Sequence, residues 1–161
     1  MDAQGYKVVK LQVVQHPLKG RIVIAAANYA RDEVVCIGRP TGIAPQRDTH
    51  SMQIEEENHV WLDEPAQLFS HSCAPNLYLR NNEYGAYTFY AARAIAAQEE
   101  LTFHYGMSEA HSIAVAVCAC GAANCLGRSV GFKDAPKDVQ GWLYQLGIAN
   151  YLRRWYEGGR H

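Results

Sequence analysis

The stretch from which the fold can be predicted is Phe69-Ser70-His71-Ser72-Cys73-Ala74-Pro75-Asn76. It sets polar side chains around a proline between apolar segments, which is unfavourable in a folded protein unless those side chains bind ligands or one another. Two later stretches also carry chemistry. They are Glu99-Glu100-Leu101-Thr102-Phe103-His104-Tyr105-Gly106 and a cysteine cluster, Cys118, Cys120 and Cys125. We interpret the three stretches as parts of one site.

The cysteine cluster is one ligand short of a zinc site. Cys118, Cys120 and Cys125 offer three thiolates, whereas structural zinc takes four ligands in a tetrahedron. The fold must therefore bring in a fourth ligand, and the residues alone leave two candidates, His111 and Cys73. The cluster favours zinc over free or oxidised thiols.

Net charge gives no reason to expect a polyanionic partner. The chain has 15 Lys and Arg against 16 Asp and Glu, a formal charge of −1, so no general attraction to nucleic acid or to an anionic membrane is expected. The basic residues near one end, Arg153, Arg154 and Arg160, are interpreted as a solvated helix face. No nucleic-acid partner is predicted, and the oligomeric state cannot be read from the sequence.

The apolar runs are too short for a membrane span. The longest, residues 22–27 and 113–118, fall well below the roughly 20 apolar residues that a spanning helix needs, and both are predicted to be core strands. Residues 1–5 lack the basic start and apolar stretch of a secretory signal. An intracellular protein, cytoplasmic or nuclear, is expected. Thiols there are usually reduced, which favours metal binding over disulfides.

The pattern of short Val-rich and Ile-rich runs broken by turn residues predicts a mainly β domain. Strands are expected in residues 6–27 (two, around a turn at 16–20), 34–37, 52–54, 59–62, 77–80, 87–91 and 100–103, with a loop at 40–48. Two short helices are expected near the end of the chain. The first begins at Pro136 and ends at Gly147. Trp142 and Trp155 are predicted to face the core, and Cys36 to be a buried small residue.

The polar stretch allows two other interpretations, a hydrolase site and an ordinary turn. A Ser-His or Cys-His hydrolase is improbable, because neighbouring residues on an extended segment point in opposite directions and no nucleophile elbow is present. Tyr105 alone could be an ordinary core aromatic, since it is one of ten tyrosines. A turn with satisfied polar groups is the simplest alternative for the stretch.

Taken together, the three stretches resemble the SET-domain family of protein-lysine methyltransferases. Residues 70–76 resemble the family's Asn-His-Ser-Cys-x-Pro-Asn, residues 99–106 its Glu-Glu-Leu-Thr-Phe-Asp-Tyr-Gly, and residues 118–125 its post-SET cysteine cluster. Lys19-Gly20-Arg21 is similar to the family's cofactor-binding Lys-Gly-x-Gly turn. The resemblance covers roughly residues 6–133.

The resemblance implies a fold and a reaction. The fold would be mainly β, a SET-type β-clip of small sheets with a knot-like active site, followed by short C-terminal helices. The domains would be a SET domain at 6–117, a post-SET zinc segment at 118–133 and a helical extension at 134–161. The reaction would move a methyl group from S-adenosylmethionine to the ε-amine of a lysine in a protein or peptide.

The resemblance also implies roles for single residues. Tyr105 would orient the amine with its hydroxyl, and Phe103 would leave room for more than one methyl group. Cys73 would complete the zinc site. The residues expected around the cofactor are Lys19, Gly20, Arg21, Ser70, His71 and Tyr105, with Phe132 or Leu126 covering the adenine.

Several positions depart from the family pattern. They are Ser70 for Asn, His104 for Asp, Ile22 for the second Gly of the cofactor turn, Gln67 for Arg and Gln98 for Gly. These changes, with the near-neutral charge, also suit a SET-fold enzyme that acts on a small metabolite. A third possibility is a non-catalytic SET binding module, against which the intact Tyr105 argues.

Overall fold

The computed structural model of the chain describes residues 10–158. The predicted strand residues 6–9, the N-terminal residues 1–5 and Arg160 lie outside that range. Within it, no helix combines the length and the apolar character that crossing a bilayer requires.

Short strands make up most of the regular structure between residues 10 and 158. They are β1 Leu11–His16, β2 Gly20–Ala25, β3 Val34–Ile37, β4 Pro40–Ala44, β5 Met52–Glu55, β6 Asn58–Leu62, β7 Ser70–His71, β8 Leu77–Asn81, β9 Tyr87–Ala91 and β10 Thr102–Phe103. Two helices follow, α1 Lys137–Leu146 and α2 Asn150–Glu157. The predicted mainly β class is confirmed.

The strands form four small sheets. β1 and β2 are an antiparallel hairpin, β9 lies between β3 and β8, and β6 lies between β4 and β5. The remaining pair, β7 and β10, is parallel, with Ser70 opposite Thr102 and His71 opposite Phe103. That pairing brings two of the three predicted site stretches side by side.

One buried core joins the β3–β9–β8 sheet, the two helices and residues of β2, β5 and β6. Side chains of β8 and β9, among them Leu79 and Phe89, are fully buried, and Leu143 of α1 and Leu152 of α2 pack on the same cluster. Cys36 on β3 is buried there as predicted. The helical extension therefore shares a core with the strands that precede it.

Two predictions about strands are wrong. Residues 40–48, expected to be a loop, contain β4, an edge strand that tolerates a proline because Pro40 is its first residue. Residues 113–118, expected to be a core strand, form no strand, and the side chain of Val117 is 81% exposed. Their backbone instead bonds to the segment after the cysteines, where the Cys118 N–H donates to the Gly127 carbonyl over 2.8 Å.

The two tryptophans of the helices differ in placement. Trp155 packs edge to face on buried Phe132, with ring centroids 6.1 Å apart, so its predicted contact with the core is confirmed. Trp142 is 36% exposed, and that prediction is wrong. Its neighbour Leu143 points inward, and successive helical residues lie about 100° apart around the axis.

Arg154 is on the solvated face as predicted and pairs with Glu55 at 2.7 Å.

Gln98 occupies a backbone conformation that normally requires glycine. Its φ is 78°, in the left-handed region. This conformation is unfavourable for a residue that has a side chain, whereas glycine adopts it readily. Its N–H donates to the Ala25 carbonyl over 2.7 Å. The turn thus keeps the shape that suits the glycine of the resembled motif.

Asn76 joins β8 to the strand that carries the second site stretch. Its side-chain amide donates to the Glu100 carbonyl over 2.8 Å and its side-chain oxygen accepts the Thr102 N–H over 2.9 Å. Asn76 is buried, so water cannot replace these bonds. This side chain therefore supports the register of β7 against β10, together with the backbone bond from the Ser72 N–H to the Phe103 carbonyl at 3.1 Å.

Replacing Asn76 with alanine should destabilise the fold. Asn76→Ala leaves a buried carbonyl and a buried N–H unsatisfied, at about 1–3 kcal/mol each, so we expect the free energy of unfolding to fall by about 2–5 kcal/mol in denaturant titrations. The matched control is Asn58→Ala at an exposed position, which should change stability by less than about 0.5 kcal/mol. Equal effects of the two substitutions would show that Asn76 does not hold this register.

Candidate functional site

The parallel pair places Tyr105 against the first polar stretch. The Tyr105 N–H donates to His71 Nδ1 over 3.1 Å, and its hydroxyl donates to the Phe69 carbonyl over 2.8 Å. The rings of His71 and Tyr105 meet edge to face at 5.2 Å. Both ends of Tyr105 are therefore fixed by residues 69–71.

Burial sets the protonation of this pair. Removal from water raises the pKa of Tyr105 above its ordinary value, so the phenol stays protonated at neutral pH. Burial, with His104 and Lys19 adding to it, lowers the pKa of His71 to about 3, so its imidazole is neutral. Because Nδ1 accepts a hydrogen bond, the ring proton is assigned to Nε2, which lies 3.5 Å from Cys73 Sγ.

His104 caps the start of the turn that carries Tyr105. Residues Tyr105–Met107 form one 3-10 turn, and His104 Nδ1 accepts the Gly106 N–H over 3.0 Å at its start. Burial lowers the pKa of His104 to about 4, which keeps that nitrogen free to accept. A Cβ on Gly106 would lie 2.9 Å from the Val130 carbonyl oxygen. The local packing thus requires glycine after Tyr105.

A cavity of about 220 Å³ opens beside Tyr105. Five of the predicted site residues line it: Lys19, Arg21, Ser70, Phe103 and Tyr105. Its other walls come from residues 47–52, 66–69 and 112–115 together with Ser108 and Glu109. The β1–β2 turn, the first stretch and the second stretch therefore share one cavity.

The two candidates for covering an adenine differ in accessibility. Phe132 has no accessible surface and packs between Trp155 and Tyr156, with ring centroids 6.1 and 5.8 Å away. It is a core residue in this structure and does not line the cavity. Leu126, the other candidate, is exposed.

Glu109 is a cavity residue that sequence reasoning missed. It is 7% exposed, and one carboxylate oxygen accepts the Gln53 N–H and the Ser108 hydroxyl, each over 2.9 Å. Burial raises the pKa of Glu109 to about 7. The one signal in the sequence is its spacing, four residues after Tyr105, which puts the two side chains on the same side of a helical turn.

The C-terminal helices support the turn that carries Tyr105. The Ala149 N–H donates to the Met107 carbonyl over 2.8 Å, and the Tyr151 hydroxyl donates to the Ser108 carbonyl over 2.5 Å. Both acceptors lie between Tyr105 and Glu109. The extension therefore positions the cavity wall, although none of its described residues, 134–158, lines the cavity.

The four predicted metal ligands come together. The sulfurs of Cys73, Cys118, Cys120 and Cys125 all lie within 4.8 Å of one another. Four thiolates about 2.3 Å from one zinc ion would have sulfurs about 3.8 Å apart, so the group can hold a metal ion with little movement. His111 is not in this group, and its Nδ1 lies 2.8 Å from an Asp134 carboxylate oxygen. The alternative that the residues left open is resolved in favour of Cys73.

Comparison with known proteins gives a family and a fold. A family model described as SET domain matches residues 20–106, more than half of the chain. The crystal structure of KRYPTONITE in complex with mCHG DNA and SAH is similar with a TM-score of 0.60 at 23% identity, over 78% of this chain and 30% of that one. The methyltransferase domain of human SETMAR is similar with a TM-score of 0.56 at 17% identity, over 75% of this chain and 58% of that one.

Two curated relatives differ in how much they share with the chain. Methyltransferase flvH of Aspergillus flavus is 26% identical over 138 residues, which are 77% of this chain and 75% of flvH. The Nicotiana tabacum protein named histone-lysine N-methyltransferase, H3 lysine-9 specific SUVH1, is 39% identical over 69 residues. Those residues are 38% of this chain and 10% of the tobacco protein, so most of the tobacco protein has no counterpart here.

The cysteine group can be tested by metal analysis. Cys73→Ser removes one sulfur from the tetrahedron, and we expect the metal content after dialysis to fall from about one ion per chain to a small fraction of that. Cys36→Ala is the control, because this cysteine is buried on β3 and lies outside the group. It should keep its metal. Full occupancy in Cys73→Ser would exclude Cys73 as a ligand.

Proposed function

Because the chain belongs to the SET-domain family of methyltransferases, we propose that it transfers a methyl group from S-adenosylmethionine to the ε-amine of a lysine in a protein or peptide. The observation that carries this proposal is the placement of Tyr105, fixed at both ends and facing a cavity shared with Lys19 and Ser70. S-adenosylmethionine, when bound, supplies a methyl group already activated on a sulfonium.

The cofactor side of the cavity is assigned to the first stretch and the β1–β2 turn. Gly20 has a φ of +80°, which lets the chain turn sharply there, and Lys19 is held by Glu100 at 2.8 Å. Ser70 lies on the cavity wall, and the next residue, His71, accepts the Tyr105 N–H. A shorter Ser70 in place of asparagine leaves the cofactor contact to its hydroxyl and to the backbone of β7.

Tyr105 acts by position in this proposal. Its hydroxyl hydrogen is already donated to the Phe69 carbonyl, so the oxygen presents lone pairs to an amine N–H. Holding the amine in one orientation is worth a large part of the rate enhancement when bond making needs a fixed approach angle. The raised pKa of Tyr105 keeps this geometry unchanged across neutral pH.

Phe103 bears on how many methyl groups are added. It lines the same cavity and packs on Tyr105 with ring centroids 4.9 Å apart. A phenylalanine has no hydroxyl with which to hold the amine or a water in one place. We therefore propose that the product can be di- or trimethylated.

Zinc is the metal proposed for the four cysteines. An all-thiolate group of four leaves no open coordination position, which is typical of structural rather than catalytic zinc. Its role would be to fasten residues 118–125 to Cys73, two residues from His71. This role needs thiolates, which an intracellular location would keep reduced.

A small amine is the second candidate acceptor. The flvH relative covers about three quarters of both chains, and its name specifies no protein substrate. The cavity of about 220 Å³ would accommodate a short alkylamine as readily as a lysine side chain. In favour of a peptide, a KRYPTONITE structure that is 24% identical to this chain was solved with an H3(1-15) peptide and SAH, and the chain covers 30% of it.

Tyr105→Phe tests the proposed activity. Loss of the hydroxyl should lower transfer of labelled methyl by about a hundredfold or more, as loss of one well-placed polar contact does elsewhere, while S-adenosylhomocysteine affinity measured by calorimetry stays within about twofold. Tyr84→Phe, at an exposed tyrosine, is the control. Full activity in Tyr105→Phe would remove the hydroxyl from the mechanism.

The acceptor is identified by running the same assay with lysine peptide arrays and with a panel of small amines. Label in peptides supports the leading proposal, and label only in small amines supports the second candidate. Cofactor binding without transfer to any acceptor would instead indicate a non-catalytic SET module.

A further inference from the structure

Glu109 faces the cavity from the same turn as Tyr105. Its N–H donates to the Tyr105 carbonyl over 2.9 Å, four residues back along the chain. That bond closes one helical turn, on which side chains four apart are neighbours. Glu109 and Tyr105 both line the cavity, so a group bound beside one of them is close to the other.

The cations of the β1–β2 turn are already neutralised by other carboxylates. Lys19 pairs with Glu100 at 2.8 Å, and Arg21 pairs with Glu64 at 2.7 Å. Neither needs Glu109 as a counter-ion.

Asp48, the other carboxylate of the cavity wall, is fully used by its own loop. One of its oxygens accepts the Ser51 and His50 N–H groups over 2.7 and 2.8 Å, and the other accepts the Trp61 indole N–H over 2.9 Å. A ligand that met Asp48 would have to displace these bonds.

One carboxylate oxygen of Glu109 is available to a ligand. Oε2 takes both hydrogen bonds, from the Gln53 N–H and the Ser108 hydroxyl. Oε1 forms an ion pair with Arg47 at 3.9 Å, a separation beyond hydrogen-bond reach, and the same guanidinium donates to the His111 carbonyl. Oε1 therefore retains the capacity to accept from a ligand in the cavity.

Among the described residues the charge of Glu109 is matched by a single cation, Arg47, which lies 3.9 Å from Oε1. A glutamine oxygen would accept the same two hydrogen bonds, whereas burying a carboxylate is unfavourable. The other titratable groups that face it are Arg47, Tyr105, Tyr87 on β9 and Tyr151 on α2. The three tyrosines stay neutral because burial raises the pKa of each, so only Arg47 offsets the charge.

We propose that Glu109 receives the ammonium group of the substrate and takes its proton before methyl transfer. In this step one N–H bond of the ammonium breaks and an O–H bond forms on Oε1. The nitrogen keeps the electron pair, so an ammonium and a carboxylate become a neutral amine and a carboxylic acid. The inference rests on the proposed function, and it names the substrate as an amine that arrives charged.

The acid–base balance of the cavity supports this step. A neutral amine is required for attack on the methyl group, whereas an alkylamine is almost fully protonated at neutral pH. Burial raises the pKa of Glu109 to about 7, which makes it a stronger base than an exposed carboxylate and suits general base catalysis near neutral pH. The low polarity that raises this pKa also favours the neutral pair over the ion pair.

Glu109→Gln tests the step through its pH profile, with n-butylamine as the acceptor. At about pH 7 we expect the kcat/KM of the variant to fall by about 10²–10⁴-fold, the usual contribution of a general base. It should then rise about tenfold per pH unit, because only amine that is already neutral can react. The wild-type rate should level off above about pH 7–8, once Glu109 is ionised.

Binding provides a readout that needs no turnover. In calorimetry on protein saturated with S-adenosylhomocysteine, n-butylammonium should bind Glu109→Gln at least about tenfold more weakly than the wild type, because glutamine can neither pair with the ammonium charge nor take its proton. The neutral isostere n-butanol should bind both proteins equally. Glu83→Gln, an exposed carboxylate in the β8–β9 turn, is the matched control, and Glu109→Asp, which keeps the charge, should retain the wild-type shape of the pH profile.

The outcomes separate this inference from the proposed function. A wild type that methylates n-butylamine, with a Glu109→Gln variant of the same rate, pH profile and amine affinity, would overturn the role of Glu109 and leave the transferase standing. A wild type that binds the ammonium through Glu109 but transfers no methyl to n-butylamine, to any peptide of the array or to any other small amine would keep the amine site and remove the transferase. Failure of the wild type to bind the ammonium would overturn the inference.

Discussion

The parallel pairing of β7 with β10 is the constraint on which the site depends. Only two residues of each strand take part, and the two hydrogen bonds of the Asn76 side chain support the pairing beside them. Through it His71 reaches Tyr105, and the chain just after His71 carries Cys73 to the distant cysteines. Residues far apart in sequence form one site because this short pair of strands brings them side by side.

The sequence predicted the fold class and most strands, because short runs of alternating apolar residues between turn residues have few other structures open to them. It did not predict β4, since an edge strand buries little and leaves no periodic signal. The strand predicted at residues 113–118 is wrong, because the apolar side chains of this run border the open cavity and the cysteine group and do not enter the core. The predictions that Trp142 faces the core and that Phe132 covers the adenine are wrong, because the type of a residue does not determine which neighbours cover it.

The site residues that could be predicted are those that belong to sequence motifs. The ligands of the metal group and the residues around Tyr105 belong to recognisable motifs, and the structure brings them together. Glu109 and Arg47 belong to no motif, and their place in the cavity wall follows only from tertiary packing. His104 shows that a departure from the motif can keep its function, because a neutral imidazole nitrogen caps the Tyr105 turn as a carboxylate oxygen would.

The central claim is that the β1–β2 turn and the β7 stretch bind the cofactor, and that the metal-loaded cysteine group holds the β7 stretch in place for this. The most direct test is a calorimetric titration of the zinc-loaded chain with S-adenosylhomocysteine, repeated after the metal has been removed by a chelator. The account predicts one binding event per chain with zinc present, and much weaker binding without it. A zinc-loaded, folded chain that binds no S-adenosylhomocysteine would contradict it.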